Sequence, residues 1–294
     1  MSLILFHYYI MKSCQSRISS SITFDVSLDN QVFFKYALFY NVQNFYKLLN
    51  PFKKDSYQLS SKIKGEKFPN FLLECLENAY YHSSDEEKLF CYTLLMNHII
   101  EKNISFYIEA FTPKRKSKEY VEKMIDSYMF HKNEGISLSK INLANYFFDS
   151  FSLSEADYHL LEKPIKRVFG FFCTKNYYKE CYNSARIYFD YLSTSKTGIK
   201  RIFYWGYDLL FNHRKGKPKA KHFLYHKKID TSLLNLNHST FELNDTQVTY
   251  SIDEMVQYIV KEVRRGCDIL NTYFNNKQNL KPFETYFHMK IQKS

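Results

Sequence analysis

SIDEMVQYIVKEVRRGCDILNTYF, running from Ser251 to Phe274, reads as one long amphipathic helix. Ile252, Met255, Val256, Ile259, Val260, Val263, Cys267, Leu270 and Phe274 recur at the three- and four-residue spacing that collects side chains on one helical face. The start is marked twice, because Ser251 and Glu254 stand three apart as a capping box, in which each side chain satisfies the other residue's backbone N–H.

The same pattern recurs upstream. Ser84 and Glu87 form a second capping box, and the helix it opens runs through Leu89, Tyr92, Met96, Ile100 and Tyr107 until Thr112-Pro113 stops it. Another helix is predicted from about Ser117, carrying Tyr120, Val121, Met124, Ile125 and Tyr128 and ending before Gly135. Further helices are predicted at about 3–18, 30–49, 68–82, 154–170 and 177–212. Only 7 Gly and 6 Pro are spread over 294 residues, too few for the frequent turns of an all-β chain. The expectation is an all-α, single multi-helix domain over 1–294, with a basic loop region at about 212–250.

Hydrophobic residues at 45% and charged residues at 24% suit a chain with a core and a wetted surface, which excludes global disorder. The 26 Tyr and 27 Phe suggest a stacking platform less than they suggest AT-rich coding. The net charge of +11 is the kind that attracts phosphate, on an anionic membrane surface or in nucleic acid. Much of it lies in 212–228, where Arg214, Lys215, Lys217, Lys219, Lys221, Lys227 and Lys228 occur without an acid. Solvation is the commoner fate of such a run, and no nucleic-acid fold signature accompanies it. Six cysteines stand far apart with no C-x-x-C pair, as expected of reduced thiols in the cytoplasm. No apolar run approaches the ~20 residues of a membrane span. There is no G-x-S-x-G and no phosphate-cradling glycine loop.

Several stretches, spread in order over nearly the whole chain, carry a resemblance. Phe6-His7-Tyr8-Tyr9 opens it, and Ala37-Leu38-Phe39-Tyr40-Asn41-Val42 with Phe45-Tyr46 follows. Asp85 to Tyr92 continues to Phe106-Tyr107-Ile108, then come Glu119 to Asp126 and Asn235-Leu236-Asn237-His238-Ser239-Thr240-Phe241. Together they resemble the bacterial zinc-dependent phospholipase C family, in its small cytosolic Firmicutes branch. That family's central helix reads H-x-x-x-D-x-x-x-H-P-Y-I, and a second helix carries H-x-x-x-E. Residues four apart share a helical face, so such helices present their ligands on one stripe. The bound zinc ions then activate a water and hold the phosphodiester oxygens.

Carried over by position, the resemblance implies that most ligands have been replaced. The Asp after Gly-Pro falls on Val42, the first helical His on Asn97, the next on Ser105 and the second-helix His on Lys118. His7, Glu101 and Glu122 remain as candidate metal ligands, with His98 and His131 as possible compensating donors. A lysine at 118 places an ammonium where the family has a neutral imidazole, which repels Zn²⁺, and suggests an ion pair with Glu101 or Glu122. His222 and His226 have ligand spacing, but Lys221, Lys227 and Lys228 around them disfavour a cation.

Three readings follow. The first is a non-catalytic or altered phospholipase C-like protein that needs no cofactor. It keeps a cleft for a phospholipid or other phosphorylated molecule, with Lys118, Lys215, Lys217, Lys219 and Lys221 as anion-binding candidates. The second is an active zinc-dependent hydrolase with a reduced metal site. The third is a basic nucleic-acid or membrane-surface binding protein, with nucleic acid the less expected of the two partners.

Overall fold

Half of the predicted box at Ser84 forms: Ser84 Oγ accepts the Glu87 N–H at 3.4 Å, whereas the Glu87 carboxylate pairs with His82 at 2.9 Å, and Asp85, Glu86 and Glu87 complement the positive end of the helix. At the other end Thr112 is extended, as the residue before a proline must be. The helix between them is Asp85–Phe111, the axis of the molecule. The computed structural model describes residues 3–18, 22, 36, 62–114, 117–148, 155–170, 175–192, 229–275 and 279–287. Among these the chain is mostly helical, with one two-stranded hairpin.

In chain order the helices are α1 (Ile4–Cys14), α2 (Phe68–His82), α3 (Asp85–Phe111), α4 (Lys118–Glu134), α5 (Leu143–Phe148), α6 (Glu155–Phe169), α7 (Lys175–Leu192), α8 (Ile252–Asn275) and α9 (Lys281–Phe287). Strands β1 (Phe241–Leu243) and β2 (Thr246–Val248) pair antiparallel, Phe241 opposite Val248 and Leu243 opposite Thr246. The hairpin turns on Asn244 and Asp245, both at positive φ (47° and 61°), the geometry of a tight two-residue loop.

Helix α3 is buried around most of its circumference, because α1, α2, α4, α8 and β1 all pack against it. Its most extensive partner is α8. The two helices approach so closely at Gly266 that a Cβ there would stand 2.5 Å from Ile99 Cδ1 and 3.3 Å from Leu95 Cδ2. The Tyr92 hydroxyl, buried at the same interface, donates to Asn271 Oδ1. The reciprocal box at the start of α8 is complete: Ser251 N–H donates to Glu254 Oε2 at 2.8 Å, and Glu254 N–H to Ser251 Oγ at 3.4 Å. Helix α1 is almost wholly interior, and His7 is buried in it among Leu5, Phe6, Ile10 and Met11.

The predicted helices at 68–82, 84–111, 117–134, 154–170 and 251–274 match α2, α3, α4, α6 and α8 within a residue or two. The segment predicted at 3–18 is α1 followed by a 3-10 turn, Gln15–Arg17. Predicted helix 30–49 lies outside the described residues apart from Tyr36, and 177–212 is described only as far as Leu192. The basic run at 212–228 also lies outside them. Helices α5 and α9 and the β1–β2 hairpin carried no prediction. Cys14, Cys75, Cys91, Cys181 and Cys267 are buried, while Cys173 lies outside the described residues. Among the described residues no helix is long and apolar enough to cross a membrane.

Candidate functional site

Helix α1 begins without a cap of its own, since Leu3 has no side chain able to accept a hydrogen bond. Asp126 of α4 takes that part: its buried Oδ1 accepts the Phe6 N–H at 3.0 Å. This contact fixes the first turn of α1 against α4 and carries His7 to the face of α3. There His7 Nδ1 meets Asn97 Oδ1 at 2.7 Å. The Asn97 amide is oriented by its own Nδ2, which donates to the Thr93 carbonyl at 2.8 Å, so Oδ1 is the atom left for His7 and Nδ1 is the donor.

One turn further along α3 stands Glu101. His7 Nε2 lies 3.3 Å from Glu101 Oε2, and Lys64 Nζ lies 2.9 Å from Glu101 Oε1. Burial alone would raise the Glu101 carboxyl, but the Lys64 ammonium and then His7 outweigh it and hold the group well below the usual carboxylate range. Protein surrounds the carboxylate, yet 34% of the side chain remains exposed, so the cluster opens to solvent at Glu101 and screening weakens the pair.

Helix α4 adds three charged groups. Burial, together with the nearby Glu101 carboxylate, raises Glu122 to about 7. Lys123 is only 2% exposed; burial lowers its ammonium while Asp126 and Glu122 pull the other way. Burial raises Asp126 to about 6 in spite of Lys123 and the Phe6 N–H. These groups line a seam between α1, α3 and α4 that holds carboxyl and amino groups together, each of those on α4 pushed by burial toward its neutral form.

Of the residues singled out from sequence, His7, Asn97 and Glu101 are in contact, and Glu122 adjoins them through Glu101. Two others are not brought together with them. Ser105 is exposed and its hydroxyl turns back to the Lys102 carbonyl at 2.7 Å, satisfying itself within its own helix. Lys118 does not pair with Glu101 or Glu122. It is the first residue of α4, on the solvent side, and pairs with the exposed Glu109 at 3.2 Å. Val42, Lys215, Lys217, Lys219 and Lys221, with His222 and His226, lie outside the described residues.

His98 stacks on Phe68, with ring centroids 3.6 Å apart and planes within 4°. Burial, and after it the Lys102 ammonium, lowers its imidazole to about 3, which favours the neutral ring. His131 is exposed in the last turn of α4, where a base suits the negative helix end. The cation on Glu101 is Lys64, which sequence reasoning passed over because it sits in a short polar segment without periodicity. Lys123 and Asp126 were missed too, although their i, i+3 placement among Val121, Met124 and Ile125 put them on an apolar face.

The seam does not fit a zinc cluster. Zinc takes neutral imidazole nitrogens and carboxylate oxygens with free lone pairs. Here the Lys64 ammonium occupies Glu101 Oε1, and Lys123 lies beside Glu122 and Asp126 on the same helix, cations that repel a divalent ion. Among the described residues no three His, Cys, Asp or Glu side chains are grouped to hold a metal ion.

A second feature lies between α8 and α9. A groove of about 310 Å³ runs between α8 and α9, walled by Ile269, Pro282 and Tyr286 and flanked by Arg265 and Lys281. The Arg265 guanidinium lies 5.7 Å from the centre of the Tyr286 ring, a cation–π contact. No family model, curated protein or solved structure matches this chain.

Proposed function

We propose that this protein is a non-catalytic relative of the zinc-dependent phospholipases C that binds a phosphorylated or lipid ligand without cleaving it. The observation that carries the reading is the engagement of His7 and Glu101 by Asn97 and Lys64. His7, Asn97 and Glu101 sit on the helices where the resemblance expects metal ligands, and the Lys64 ammonium stands on the Glu101 carboxylate. Phosphodiester cleavage of that family's kind needs a metal-activated water. A seam holding its own ammoniums offers no comparable Lewis acid.

Binding draws on different features. The net charge of +11 favours anionic partners, and the α8–α9 groove combines apolar walls with two cations, as an amphiphile with a phosphate head requires. One observation favours the second reading, an active hydrolase: a carboxyl near 7, as at Glu122, is poised for general acid–base work.

The test is a pair of measurements on the full chain. Turnover of p-nitrophenyl phosphorylcholine is followed with and without added zinc, and sedimentation is measured with phosphatidylcholine vesicles containing or lacking phosphatidylserine. The reading predicts no turnover above buffer in either condition. It also predicts salt-sensitive sedimentation with the anionic vesicles, weakened by the double change Arg265→Ser and Lys281→Ser. Zinc-dependent turnover would replace it with the hydrolase, and retention by nucleic acid but not by vesicles would replace the ligand class.

A further inference from the structure

The floor and the edge of the α8–α9 groove differ in polarity. Ile269, Pro282 and Tyr286 are half-buried, whereas Lys281 is exposed and the Arg265 side chain is 65% exposed. Neutral polar groups beside them are taken up within the chain: Asn279 Oδ1 accepts the Lys281 N–H at 3.2 Å, and the Thr285 hydroxyl donates to the Lys281 carbonyl at 2.9 Å. A ligand entering the groove therefore meets an apolar floor with two cations at its edge.

Volume and ring geometry narrow what can enter. At about 310 Å³ the groove stands at the small end of ligand sites, which run from about 300 to 1,000 Å³. A water-sized group takes about 30 Å³, so the space holds roughly ten methylene-sized groups. That is one short alkyl chain, and the two chains of a membrane phospholipid exceed it. A nucleotide fits poorly for another reason, because the Tyr286 face on which a base would stack already carries the Arg265 guanidinium. Glu262 approaches that guanidinium only to 4.0 Å, so its donors stay open to an anion.

Deepening the ligand-binding half of the reading above, on which it rests, we infer that the groove takes a phosphate monoester bearing a single alkyl chain of about ten carbons. The chain lies on Ile269, Pro282 and Tyr286, and the phosphate stands at the rim with Arg265 and Lys281. Burial of the chain drives binding, and the cations select the head.

The experiment is calorimetric titration of the full chain with octyl, decyl, dodecyl and tetradecyl phosphate, each below its aggregation concentration. Inorganic phosphate supplies the head alone, and decyl maltoside supplies the chain under a neutral head. The inference predicts affinity rising about two- to fourfold per methylene from octyl to decyl and levelling off beyond dodecyl. Both controls bind about tenfold more weakly or worse, and the double change Arg265→Ser and Lys281→Ser weakens decyl phosphate by about tenfold while leaving decyl maltoside as it was. Thr285→Trp, made at an exposed position, fills the groove and weakens decyl phosphate without touching either cation. Affinity that keeps climbing through tetradecyl, equal binding of decyl maltoside, or no saturable binding of decyl phosphate would overturn the inference, and sedimentation with anionic vesicles would then still support the broader reading. Zinc-dependent turnover alongside the predicted chain-length profile would instead remove the non-catalytic reading and leave the ligand of the groove as stated.

Discussion

Asp126 shows how much one side chain organises. It caps a helix that has no cap of its own, and it does so from another helix. Asp126→Ala leaves the Phe6 N–H buried without an acceptor, for which the expected loss is about 1–3 kcal/mol in denaturant unfolding. Asp126→Asn keeps an oxygen at that position and should lose less. Glu122 and His98 make opposite contributions to pH dependence. Glu122 is raised in the folded state from 4.5 to about 7, so between those values the folded chain binds more protons than the unfolded chain. Stability from this group is present below pH 4.5 and falls as pH rises toward 7; Glu122→Gln should remove that slope. His98 is lowered from 6.5 to about 3, so the unfolded chain binds the extra proton and stability falls as pH drops below 6.5. His98→Phe, which keeps the stack on Phe68, should flatten that acid-side loss in melts at pH 4 to 6.

At the scale of elements, what was legible in the sequence was what local chemistry fixes. The cap at Ser84, the box at Ser251, the stop at Thr112-Pro113 and the left-handed end at Gly135 (φ 70°) are one-turn events, and each lies where the residues put it. Ser251→Ala removes one half of a reciprocal box and should cost about 1 kcal/mol, measurable by urea unfolding. The β1–β2 hairpin was not legible, because its strands are three residues long and its Asn244-Asp245 turn lacks the glycine that usually announces one. Gly266 gave no local signal either, since its reason is Ile99 on another helix. Gly266→Val should destabilise by about 1–3 kcal/mol through overpacking, and Ile99→Ala in the same chain should recover part of that loss, a coupling that distant sites do not show.

The seam was half legible for the same physical reason. His7, Glu101, Glu122 and Asn97 came into view only through the positions that the resemblance assigns them, since no local pattern marks any of the four. Lys64 was invisible, since nothing within its own segment indicates that it reaches Glu101, and Lys118 was assigned the pairing that Lys64 makes.

For the whole molecule, the central claim is that Lys64, rather than a metal ion, balances the charge of Glu101 under the first turn of α1. Electrostatics of this kind acts over a few ångströms in the interior, whereas the net charge of +11 acts over the surface and weakens with salt. The two are therefore separable by experiment. The most direct measurement is the zinc content, by elemental analysis, of protein purified without chelator and then dialysed at pH 7.5 against micromolar zinc. The account predicts well under one zinc per chain and no change when His7 is replaced by Ala. One zinc or more per chain, lost in His7→Ala, would contradict it.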